Sequence, residues 1–122
     1  MIAEFTGALG VFDAEAVTSL TGHPDDAAFA AVFVGSYRRM LPERVGRIEA
    51  SLRGDDLDEA RDAALSLKAA SATVGTGELA GLAERIGEHL RQGDLAAARD
   101  DADLLPDAAR RADHALAAFL QR

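Results

Sequence analysis

Leu57, Ala60, Ala64, Leu67, Ser71 and Val74 follow one another in alternating steps of three and four residues. That spacing matches the 3.6-residue period of an α-helix and lines the six side chains along one seam. A helix with such a seam has to bury it, so a packed helical domain is the first expectation. Asp55 or Asp56 can cap the start of this helix, and Gly75 can end it.

The flanking segments carry the same period. Downstream, Leu79, Leu82, Ala83, Ile86 and Leu90 predict another buried stripe, entered through Thr76-Gly77-Glu78 and stopped at Gly93. Beyond it, Leu95, Ala98, Ala102, Leu105, Ala109, Ala112, Leu116 and Phe119 predict a last helical segment, which Pro106 should bend. Upstream, Phe29, Phe33, Met40, Leu41, Val45, Ile48 and Leu52 predict a long helix ending at Gly54, with a kink or local break at Pro42. Val11-Phe12 followed by Asp13 reads as a hydrophobic residue before a cap and predicts a short helix through about Leu20. Thr21-Gly22-His23-Pro24 forms the next turn, with Pro24 and Asp25 suited to a helix start.

Short connections force sequential helices to be antiparallel neighbours. The expected fold is therefore all-α, an up-down antiparallel four-helix bundle with a short extra N-terminal helix. At 122 residues the chain suits one domain. Residues 11–122 are expected to form the bundle and residues 1–10 a flexible N-terminal segment, in which Ile2, Phe5 and Leu9 could share an apolar edge.

Several function classes are disfavoured. No run of about 18 apolar residues suggests a membrane span, and Met1-Ile2-Ala3-Glu4-Phe5 lacks the features of a secretory signal. A cytoplasmic monomer is expected. The absence of cysteine removes disulfides and thiolate chemistry, and a net charge of −8 argues against nucleic acid. No Glu-x-x-His pair, zinc-protease motif, phosphate loop or nucleophile elbow occurs, and the carboxylates are spread over polar faces. No metal and no cofactor are expected.

One position breaks the pattern. At 100° per residue, Leu65 falls about 130° from the centre of the Leu67–Ser71 seam, outside the buried arc. Its neighbours one turn away are Arg61, Asp62, Lys68 and Ala69. A single exposed leucine is ordinary by itself.

The local sequence adds to this. Leu65-Ser66-Leu67-Lys68-Ala69-Ala70-Ser71-Ala72-Thr73-Val74-Gly75, with Leu79 beyond, resembles the signature helix of histidine-containing phosphotransfer (HPt) domains: His-x-Leu-Lys-Gly, small residues, an apolar-Gly pair and a leucine on the next helix. Tyr37, Leu41 and Ile48, and the turns Gly54-Asp55 and Gly93-Asp94, extend the resemblance over most of the chain from Val11 onward. It implies a four-helix phosphorelay module whose partners are a response-regulator receiver domain or a histidine kinase. It also implies that Leu65 stands where the family keeps its phosphoacceptor histidine, and Ala69 where it usually keeps glycine. Phosphoryl acceptance needs a ring nitrogen lone pair, which leucine lacks. The resemblance therefore implies a module that binds partners through Arg61, Leu65, Lys68, Ala69 and Ala72, with no catalytic residue at position 65.

Two alternatives stand beside this one. The first is a phosphotransferase that uses His89 or His114. The second is a structural or vestigial bundle. His89, near a helix C-terminus, reads as complementing the helix dipole, while His114 and His23 read as solvated. Ser66 points about 100° around the helix from Leu65 and has no evident base.

Overall fold

In a computed structural model, which describes residues 10–21 and 27–121, the described residues form helices joined by short turns and contain no strand. They are α1 (Ala14–Thr21), α2 (Ala27–Arg53), α3 (Leu57–Val74), α4 (Gly77–Arg91), α5 (Leu95–Ala102) and α6 (Leu105–Leu120). The all-helical bundle with a short N-terminal helix is as expected. The readings for Ile2, Phe5 and Leu9, and for the turn around His23 and Pro24, fall outside the described residues. Among the described residues no helix is long and apolar enough to cross a membrane.

Helix starts follow cap chemistry. Asp13 accepts from Glu15 N ahead of α1, Asp56 accepts from Glu59 N at the start of α3, and Asp94 accepts from Ala97 N at the start of α5. Each carboxylate satisfies an amide that has no partner inside its own helix. Gly75 ends α3 in a left-handed conformation (φ 96°) and returns its amide to Ser71 O. A β-carbon there would press into the Asp13 carbonyl oxygen and the side chain of Ala16. Glycine is required twice over, by backbone angle and by close approach.

The α2/α3 register can be read from cross-links. Tyr37 meets Ser71, Arg44 meets Ser66, and Arg47 meets Glu59, so the numbers fall on one helix as they rise on the other. The two helices are antiparallel. α3 packs most extensively on α4 and next on α2, while α6 leans on α2 and α4. Ile48, Leu67, Leu79, Ile86, Leu105 and Leu116 meet in the fully buried centre. The Tyr37 hydroxyl, also buried, shares hydrogen bonds of 2.8 Å with both Ser71 and Thr76, so no hydroxyl of this trio is left unsatisfied.

Three local expectations change. Helix α2 runs unbroken across Pro42, so of the expected kink or local break the break does not occur. Pro42 is exposed, while Tyr37, Leu41 and Val45 on either side of it stay buried in one core and hold the helix together. The last segment is two helices rather than one bent at Pro106. It stops at Asp103–Leu104, and Pro106 lies in the first turn of α6, where its missing amide has no intrahelical role. The apolar lines also shift. Phe29, Met40 and Leu57 are exposed, and Ala30, Val34 and Tyr37 occupy the buried line of α2.

Candidate functional site

Leu65 projects from the outer face of α3 with 63 % of its surface exposed, while Ala64 and Leu67 on either side are buried. The helical register that buries the seam forces this outcome. Arg61, Ala69 and Ala72 are exposed with it, on the same helix. Beside Leu65 an open groove of about 840 Å³ runs between α3 and α4. Arg61, Leu65 and Lys68 line its α3 wall together with Asp58 and Asp62, and Glu84, Gly87, Glu88 and Arg91 line the α4 wall. The structure thus gathers three of the five sequence-expected residues in one groove. Ala69 and Ala72 continue along the open face of α3, outside it.

Lys68, the only lysine in the sequence, reaches across the groove to Glu84 with an Nζ to Oε2 distance of 2.9 Å. Arg91 pairs with Glu88 at the far end. Arg61, Asp58 and Asp62 make no ion pair within the groove. Four carboxylates therefore face three cations, a net charge of −1 on the groove rim. Just beyond the rim, a hydrogen bond from the Arg47 guanidinium holds the Glu59 carboxyl below its usual range.

The polar groups near Leu65 are committed elsewhere. Ser66 Oγ accepts from Arg44 Nη1 at 2.8 Å, and a guanidinium, which only donates, cannot take the hydroxyl proton. His89 lies outside the groove on the α5 side of α4. Its Nε2 is 3.2 Å from Asp101 Oδ2, and its Nδ1 is buried with no hydrogen-bond partner among the described residues. Asp101 also accepts from Arg85, so a nearly buried carboxylate (7 % exposed) has a partner on each of two turns of α4. His89 is thus a tie between helices as well as a group near a helix end. His114 is exposed on α6.

The sequence reading did not find Asp58, Glu84, Glu88 or the Arg85–Asp101–His89 cluster. Glu84 and the Arg85–Asp101–His89 cluster belong to pairings between separate helices, and Asp58 and Glu88 join the groove only through the packing of α3 on α4, for which one sequence offers no periodic sign. Chemically, the groove combines a protruding hydrocarbon with a charged, largely self-paired rim. At position 65 it offers no nucleophile.

A family model described as "Hpt domain" matches residues 32–119, from α2 through most of α6. Comparison with curated proteins and with solved structures returns no match.

Proposed function

Since the chain belongs to the Hpt domain family, we propose that it is a docking module of a two-component phosphorelay that binds a receiver or histidine-kinase domain without carrying phosphate at position 65. Members of this family are phosphotransfer modules that interact with such domains. The observation that carries the reading is Leu65 itself, 63 % exposed on the helix where the resemblance places the phosphoacceptor imidazole. Leucine has no lone pair with which to attack phosphorus, but it has apolar surface to bury. Full burial against a partner is worth on the order of 1.5–3 kcal/mol, which corresponds to about ten- to a hundredfold in affinity.

The partner-binding set is Arg61, Leu65, Lys68, Ala69 and Ala72. In this reading the module works as a cytoplasmic monomer. Phosphotransfer through another histidine finds less support. The Nε2 of His89 is taken by Asp101 and its Nδ1 is buried, and His114 has no ion-pair partner among the described residues to manage a proton.

The test is a pull-down against purified receiver and histidine-kinase domains from the same genome, followed by dissociation constants for wild type and Leu65→Asp. Binding that weakens at least about tenfold with the fold intact supports the reading. An unchanged constant, or no binding to any receiver or kinase, removes it. Labelled phospho-receiver is added in parallel, and an acid-labile label on the wild-type chain would reinstate a working phosphotransferase. Light scattering separates the vestigial bundle, in which Leu65→Asp alters self-association alone.

A further inference from the structure

Resting on that docking reading, we propose that the Leu65 face selects the unphosphorylated form of a receiver partner and rejects the aspartyl-phosphorylated form. Phosphotransfer in this family requires the receiver's reactive aspartate to reach the histidine position. A receiver seated on this face in the same way therefore brings that aspartate opposite Leu65. The two states of the receiver differ there by one phosphoryl group, which replaces the singly charged carboxylate with an acyl phosphate of about −2 charge, a net addition of about one negative charge together with acceptor oxygens that need donors or water.

This chain supplies little to satisfy them. The closest side chain is a hydrocarbon, and burying an anion against it strips water without replacement. Lys68, one turn along α3, is the cation best placed to meet the charge, but its ammonium sits 2.9 Å from Glu84 Oε2. Glu84 is itself 63 % exposed and faces whatever covers the groove. Asp58 and Asp62 add two carboxylates on the same wall against Arg61, with no salt bridge to any of the three among the described residues. Arg47 beyond the rim, itself bound to Glu59, lies near enough to Asp62 to feel its charge. A phosphorylated aspartate would thus meet an apolar contact and a rim of net charge −1, with its natural counter-ion neutralised. The unphosphorylated receiver loses far less on approach. Like charges set against each other across an interface are a strong means of rejecting one partner.

The experiment titrates one receiver domain recovered in the pull-down into the full chain. It is done with Mg²⁺ alone and again with beryllofluoride, which occupies the receiver aspartate as a phosphoryl mimic. The expected result is a dissociation constant at least about tenfold weaker for the beryllofluoride form. Equal affinities, or tighter binding of the beryllofluoride form, overturn the selection while leaving docking intact. Failure of both forms to bind sinks the docking reading instead. Glu84→Gln, at an exposed position, frees Lys68 and should shrink the difference between the two forms several-fold. A difference that stays constant in Glu84→Gln overturns the assignment of selection to the neutralised lysine. Leu65→Asp should weaken both forms, which marks the face as the one being read.

Discussion

His89 Nε2 lies 3.2 Å from Asp101 Oδ2, and the same carboxylate accepts a 2.5 Å hydrogen bond from Arg85. One side chain of α5 thereby fastens two successive turns of α4. Asp101→Ala would strand the His89 imidazole and release Arg85, which is already largely solvated. The expected cost is about 1–2 kcal/mol, read as a lower urea midpoint with an unchanged slope. Receiver binding should be unaffected, since the cluster lies outside the Leu65 groove.

Gly75→Ala should be among the most damaging single substitutions. It places a side chain at φ 96° and drives a methyl group into the Asp13 carbonyl oxygen, which belongs to a segment held by the Asp13 N to Gly75 O hydrogen bond of 2.8 Å. The backbone term alone costs about 1–2 kcal/mol, and the contact adds to it. Chemical denaturation should show a loss above about 2 kcal/mol.

Tyr37 gives the fold an alkaline limit. Burial raises its pKa above the ordinary 10.0, opposed by hydrogen bonds from Ser71 and Thr76. The folded state therefore keeps the proton at a pH where the unfolded chain has released it. Stability is fully present below pH 10.0 and falls as the pH rises from there through the folded-state value. Tyr37→Phe should flatten this fall, as measured by thermal melts across alkaline pH. At neutral pH it should cost about 1–2 kcal/mol, because Ser71 and Thr76 lose their shared partner.

Leu65→His tests whether only the acceptor is missing. The position is exposed, so stability should move by less than about 0.5 kcal/mol. Acid-labile label from a phospho-receiver should appear, but slowly, because Lys68 stays paired with Glu84. Adding Ala69→Gly should speed the labelling by clearing the methyl group one turn away. That gain should come at about 1 kcal/mol of helix stability. Absence of label in both variants, from a receiver whose unphosphorylated form binds them, would mean that the phosphorylated aspartate does not reach position 65.

The stripe of α4 was fully legible, since Leu79, Leu82, Ala83, Ile86 and Leu90 are all buried. Helix α2 was harder. Its true line, Ala30, Val34, Tyr37, Leu41, Val45, Ile48 and Leu52, keeps helical steps throughout. Phe29 and Met40 drew attention by size while lying one position off it. Tyr37 belongs to the buried line although its tip is polar, and nothing local reveals that Ser71 and Thr76 will meet its hydroxyl. Leu57 stands at the first turn of α3 and is exposed, and only from Ala60 does the seam become buried. Leu65 was legible because exposure follows from register alone. The Lys68–Glu84 and His89–Asp101 pairs were not, because tertiary packing decides which polar faces meet.

The single lysine gives this molecule a built-in chemical footprint. Within this sequence a lysine-directed acylating reagent has one side-chain amine to modify, and that amine stands beside Leu65. A partner that covers the groove would shield it, and one that binds elsewhere would leave it reactive. Occupancy of this face can thus be followed by mass spectrometry on the unmutated chain.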